Sequence, residues 1–427
     1  MKREAHIVFF YQHFWPDSPP YANMLRVIGR GLSEAGHAVS MVAAQPSYKA
    51  SDRASRSAAR ERIDGIDVTR LAPLPFADRV TPVRLLGKVL FPLRALVVLL
   101  VRRVRGERPD IVVAATIPPV LNGLLGLAAA RLVGARFVYH LQDVYPEIGA
   151  AGDLWPESSW RHRLLRQLDT FTTRRADRCV VLSEDMAAAL AIRGVHRSRV
   201  RVINNFMLET FDGDTEDAAA VDEDEAQVIR PRRRIVFAGN LGRFQALEEL
   251  LAAFLDHASE HDDLELHFLG DGTAKAALQR QAAESPLVNF HGHVDFTLAS
   301  RFIKGCDAGI VSIGEGIYRY AYPSKTLTYL GLGVPLFVVV EGESMLAADV
   351  RSRALGVVCA ERSPEGLRRG FRALAAWLDA HPEASDTVAA HTASNLSSEA
   401  AVDHWQTAVA GLLELDPSAG DRLEARR

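Results

Sequence analysis

Residues 234–272 read RIVFAGNLGRFQALEELLAAFLDHASEHDDLELHFLGDG. An apolar run ends at Gly239, and from about Leu247 the apolar residues recur at helical spacing. A second run, LELHFLG, ends at another glycine, Gly270. Strand, glycine turn, amphipathic helix and strand in that order make a βαβ unit, whose strands lie parallel in one sheet. The alternation continues through VNFHG, AGIVSI, PLFVVV and GVVC. It also fills the first half of the chain: IVFFY, SMVAA, IDVTRLA, DIVVAA, RFVYHL, CVVLS and RVINN read as strands, with helices opening at Tyr21, Pro119 and Glu184. The expected class is α/β, with two doubly wound, Rossmann-like domains.

Between the two series, MLETFDGDTEDAAAVDEDEAQ is acidic and without periodicity, a composition that buries no core. The boundaries follow: a first domain over 1–206, an acidic linker or insertion over 207–233, a second domain over 234–397, and a helix and tail over 398–427. Trp405, Val409 and Leu412 mark that last helix, which is expected to return to the first domain. At 427 residues the chain is in any case too long for one core. The net charge of -3 gives no general attraction to nucleic acid. Cys179, Cys306 and Cys359 lack metal-ligand or CxxC spacing and read as buried thiols of a reducing, cytoplasmic setting. The start, MKREAHIVFFY, reads as a first strand rather than a signal peptide.

Parallel sheets bind ligands beyond the carboxyl ends of their strands, so those ends are where chemistry is sought. In FVYHLQDVYPEI, Asp143 follows a strand and could accept a proton, with Glu147 close behind; the alternative is a helix cap or an arginine partner. At the end of RIVFAG, the turn Gly239, Asn240, Gly242, Arg243 could hold a diphosphate on backbone N–H groups and a guanidinium. Gly270 and Gly272 would let backbone approach a ligand, or simply make a turn. In YRYAYPSKTLTYLGLGVP, Pro323 suits a helix start and Ser324 a cap. Lys325 then falls in a first turn, where a cation is disfavoured by the helix dipole unless an anion is present.

These segments, together with DIVVAATIPPVLNGLL, ADRCVVLSEDMAAALAIRGV and VRVINNF, resemble family-4 glycosyltransferases, most nearly the bacterial capsule, O-antigen and colanic-acid group. The resemblance implies the GT-B fold, two domains facing a cleft, with nucleotide sugar in the second domain and acceptor in the first. It implies a retaining reaction, no bound metal and no cofactor beyond the nucleotide-sugar co-substrate. Lys325 and Arg243 would stabilise the leaving diphosphate, and Asp143 would position the acceptor or take its proton. Donor contacts would come from Gly239, Asn240, Gly242, Gly270, Gly272, His293, Tyr320, Ser324 and Thr328, with His291 near the base. The pattern is departed from where Asn240 and Gln245 stand for an Arg and a Lys, and where Tyr320 and Thr328 stand for the two Glu of E-x7-E. The first loop has Asp17, Ser18, Pro19 and Pro20 in place of a glycine pair, which makes His13, Asp17 and Tyr21, with Glu147, the candidate acceptor contacts.

Residues 82–105 are apolar and basic, but Lys88, Pro92 and Arg94 interrupt the run, so an interfacial helix on an anionic cytoplasmic membrane face competes with a buried one. The expected function is sugar transfer to a glycan or lipid-linked acceptor in polysaccharide assembly. Rival readings are a nucleotide-sugar epimerase of the same fold and a non-catalytic sugar-nucleotide binder.

Overall fold

The computed structural model describes residues 4–17, 19–48, 56–75, 81–152, 155–208, 232–242, 245–283 and 285–414. The chain divides into two compact units, Met1–Leu208 with Ser398–Arg427, and Glu209–Ser397. The acidic stretch 209–231 and Arg243 lie outside the described residues.

The first unit is built on eight strands: β1 (His6–Phe10), β2 (Ala38–Ala44), β3 (Arg60–Ile63), β4 (Ile66–Leu71), β5 (Ile111–Ala115), β6 (Arg136–His140), β7 (Arg178–Val181) and β8 (Val200–Val202). Their order is β3-β4-β2-β1-β5-β6-β7-β8, with every pair parallel except β3 on β4. A parallel strand covered on both faces reads as a continuous apolar run, and β5, IVVAA, is buried throughout. β3, RERI, escaped the sequence reading because an edge strand can carry charge. Helices α1 (Pro20–Glu34), α2 (Thr81–Val104), α3 (Leu121–Val133), α4 (Glu147–Ala151), α5 (Trp160–Arg175) and α6 (Glu184–Ile192) complete the windings. Among the described residues no helix is long and apolar enough to cross a membrane.

The second unit alternates β9 (Arg233–Ala238), α7 (Leu247–Glu260), β10 (Leu264–Leu269), α8 (Lys275–Gln281), β11 (Val288–Gly292), α9 (Phe296–Lys304), β12 (Ala308–Ser312), α10 (Ser324–Gly331), β13 (Leu336–Val339), α11 (Met345–Ser352), β14 (Gly356–Cys359), α12 (Pro364–Ala380) and α13 (Ala384–Asn395). The sheet runs β11-β10-β9-β12-β13-β14, all parallel, so the strand order reverses between β9 and β12. A crevice opens at that reversal, beyond the carboxyl ends of the strands. Phe237, Phe254, Phe268, Phe337 and Phe371 fill the core below it.

The last helix, α14 (Ser398–Leu413), belongs to the first unit. Trp405 is buried there, 6.3 Å from the Phe9 ring and 5.0 Å from that of His140. Gln406 donates to the Gly31 carbonyl, and a β-carbon at Gly31 would collide with Val402, so α1 and α14 meet at a glycine.

Candidate active site

In the second unit, three strand-end loops are laced together at the reversal point. The Gly239 N–H donates to the Leu269 carbonyl, the Gly270 N–H to that of Gly292, and the Leu241 N–H to that of Asp271. Gly239 and Gly270 adopt φ of 125° and 136°, a region closed to most side chains. At Gly270 a β-carbon would also overlap the Gly239 carbonyl, and at Gly272 the Leu241 backbone. The glycines therefore serve loop-to-loop contact. Gln245 accepts from the Gly242 N–H at 3.2 Å, while the Ser312 hydroxyl donates to its carbonyl at 2.5 Å. The residue at the family's lysine position thus holds the turn together, and Asn240 is exposed beside it.

Lys325 lies against this cradle. Its ammonium sits 4.7 Å from the centre of the Phe237 ring, and Cε lies beside Gly239. One turn on, the Tyr329 hydroxyl accepts from the Ala238 N–H at 2.8 Å, and its ring fills space where Gly309 has no room for a β-carbon. Tyr329 so ties α10 to the end of β9 and places Lys325 there. The lysine is half-buried and has neither hydrogen-bond nor ion-pair partner among the described residues. Burial lowers its pKa from the usual range to about 8.

Ser324 does not cap α10, contrary to expectation. The cap position is Pro323, with no side-chain bond, and Ser324 is the first, exposed helical residue. Thr328 shares the face of Lys325, three residues on, and Tyr320 is half-buried in the preceding loop. His293 is exposed, and His291 is joined to His267, which in turn meets Glu265. Sequence reasoning missed Glu341 beyond β13: one carboxylate oxygen accepts from the Gly316 N–H, and the other, Oε2, is buried without a hydrogen bond. Only the position of an acid just past a strand pointed to it.

In the first unit, β6 ends at His140 and leads to Asp143, which is half-buried with no hydrogen-bond or ion-pair partner among the described residues. Neither the cap nor the arginine partner is present. Burial raises its carboxyl to about 6. His140, unremarked in the sequence, is buried and its pKa is lowered to about 3, so the ring is neutral. Asn205 donates to the Gln142 carbonyl oxygen at 2.7 Å, which orients that amide to donate to His140 Nε2 at 3.0 Å. The ring proton then sits on Nδ1, 2.7 Å from the Tyr21 hydroxyl. Tyr21 is thus part of a polar chain that fixes the loop bearing Asp143.

The other expected acceptor contacts hold the protein's own structure. Asp17 Oδ2 lies 2.6 Å from His13 Nδ1, and Oδ1 accepts from the N–H groups of Ser47 and Tyr48. Glu147 is ion-paired with Arg193 and, at 3.3 Å, with Arg166. Arg193 also donates to Asp169 at 2.5 Å and to the Tyr145 carbonyl at 2.6 Å. Both carboxylates are occupied, because each must satisfy donors buried around it. His13 remains within ring contact of Tyr11 and Tyr48.

Comparison with known proteins agrees with this division. The family described as "Glycosyl transferase 4-like domain" matches residues 21–205, and "Glycosyl transferases group 1" matches residues 232–376. Probable glycosyltransferase WbjE of Pseudomonas aeruginosa is 26% identical over 269 residues, 62% of this chain. That match spans 66% of the relative's own length, just under two thirds. Sucrose-phosphate synthase of Thermosynechococcus elongatus superposes with a TM-score of 0.66 at 12% identity, covering 97% of this chain and 100% of its own. HepE of Anabaena, in complex with UDP and glucose, gives a TM-score of 0.62 at 13% identity over 96% and 100%. One glycosyltransferase family is matched in each unit, over more than half of the chain in all, and the chain belongs to the GT-B glycosyltransferases.

Proposed function

We propose that this chain moves a sugar from a nucleotide-activated donor to a glycan or lipid-linked acceptor in polysaccharide assembly, with retention at the anomeric carbon and no resident metal ion. Lys325 carries the reading. A half-buried ammonium with no counter-charge, at a helix start beside a glycine cradle, is destabilised unless a ligand supplies the anion. A donor diphosphate is such an anion. As the bond between the anomeric carbon and the diphosphate oxygen breaks, charge grows on that oxygen, and the ammonium offsets it. The acceptor hydroxyl forms the new bond and loses a proton, which Asp143 is suited to take because its pKa is near neutrality.

The HepE complex makes UDP the first nucleotide to test. The resemblance of the Asp143 segment to the capsule and O-antigen group supports a polysaccharide product. The exposed apolar face and basic end of α2 support peripheral contact with an anionic, cytoplasmic membrane face.

The test is calorimetric titration of UDP and of a panel of nucleotide sugars, followed by turnover in the presence of EDTA. A nucleotide sugar that binds and is slowly hydrolysed or transferred, with EDTA without effect, supports the proposal. Isomerised sugar would identify an epimerase, binding without turnover a non-catalytic binder, and loss of rate in EDTA a metal requirement.

A further inference from the structure

We propose that a pocket beneath α2 in the first unit receives the phosphate or diphosphate headgroup of a lipid-anchored acceptor. This rests on the transferase reading above and adds the acceptor's chemical class.

The pocket encloses about 710 Å³, a volume suited to a diphosphate with its first sugar. Ala44 and Leu71, the last residues of β2 and β4, line one side, and Gly87 and Phe91 of α2 line another. It therefore opens at the carboxyl end of the sheet, the end at which Asp143 follows β6. Arg56, Arg84, Lys88 and Arg94 also line it, and no carboxylate does among the described lining residues. Arg94 donates to the Ala72 carbonyl at 2.7 Å, a neutral partner that leaves its charge unbalanced. Four cations around one cavity exceed what a single carboxylate could balance. A multiply charged phosphate ester matches them, and charge-assisted bonds to it are the strong ones.

The opposite face of the same helix is apolar. Leu86, Val89, Leu93, Val97 and Val101 recur every three or four residues, and each is between 44% and 51% exposed. A helix with such a stripe settles into the boundary between headgroups and acyl chains. With the stripe in that boundary, cations on its inner side meet a ligand whose head is anionic and whose tail stays in the bilayer. The occupant is thus an amphiphile, specifically a long-chain alcohol phosphate or diphosphate bearing the sugar to be extended.

The experiment uses the full chain with saturating UDP, so that the donor site is filled. Farnesyl diphosphate, inorganic pyrophosphate and vesicles containing phosphatidylglycerol are the probes. Arg84→Gln combined with Lys88→Gln should weaken farnesyl diphosphate binding by about tenfold or more, with melting temperature and UDP affinity unchanged. Leu86→Asn combined with Leu93→Asn should weaken farnesyl diphosphate while leaving pyrophosphate unaffected. Equal affinity for pyrophosphate and farnesyl diphosphate would overturn the proposal in favour of a free-phosphate site. Undiminished farnesyl diphosphate binding by the Arg84/Lys88 variant would overturn it too. Vesicle binding that depends on Leu86 and Leu93, with no farnesyl diphosphate binding, would reassign the face to bulk lipid. Absence of UDP binding alongside intact farnesyl diphosphate binding would remove the donor reading and leave the pocket standing.

Discussion

A β-carbon on Gly239 would stand 2.9 Å from Cε of Lys325. The lysine crosses the end of β9 only because that residue has no side chain. Gly239→Ala should displace the ammonium and weaken UDP binding by about as much as Lys325→Ala, roughly 1.5–3 kcal/mol for a charge-assisted contact. The double variant should lose little more than either single one, because both remove the same interaction. Additive losses in calorimetry would separate the two residues.

The lysine's titration supplies a second test. Its folded pKa of about 8 lies below the usual lysine range, so the unfolded chain binds more protons between about pH 8 and 10.5. Stability of the ligand-free protein should therefore rise with pH through that window. Binding a diphosphate restores the charged form. At pH 8 UDP binding should take up about half a proton, seen as a dependence of binding heat on the buffer's ionisation enthalpy. Lys325→Arg, which stays charged, should abolish the uptake.

Asp143 has the opposite sign. Its folded pKa of about 6 exceeds the ordinary carboxylate value, so the stability it contributes is present below about pH 4 and lost as pH rises through 6. Asp143→Asn should be more stable than wild type at pH 8 by about 1–3 kcal/mol, a figure reduced by the group's partial exposure, and equal at pH 3.5. Turnover should drop by about 100-fold with UDP affinity kept. A variant that melts lower at pH 8 would return Asp143 to a structural role.

Arg193 joins Asp169, Glu147 and the Tyr145 carbonyl in one buried network. Burial still dominates Asp169, whose pKa stays at about 6 although Arg193 pulls it down. Arg193→Ala strands two buried carboxylates and should cost about 3–5 kcal/mol in denaturant unfolding at pH 7, and less at pH 4, where protonation relieves Asp169.

The parallel strands were legible because burial on both faces demands unbroken apolar runs such as Ile111–Ala115. β3 was not, since its edge position tolerates Arg60, Glu61 and Arg62. Lys325 could be singled out from its place after Pro323, a local signal. His140 could not, because its meaning comes from Tyr21, 119 residues away, and from Trp405. Glu147 looked available for the same reason: nothing near it announces Arg193, 46 residues on. Long-range pairing is what one sequence hides. Gly309 likewise makes sense only under the Tyr329 ring.

The helix carrying Trp405 gives the second unit the status of an insertion within the first. During synthesis, the ribosome must deliver the whole of β9 through α13 before Phe9, His140 and Gly31 receive their cover. The later-made unit holds its own sheet and core and can fold while the earlier one waits. Cutting the chain at residue 397 would therefore harm the half it leaves behind, and a soluble first unit would need Ser398–Leu413 spliced back through a short linker.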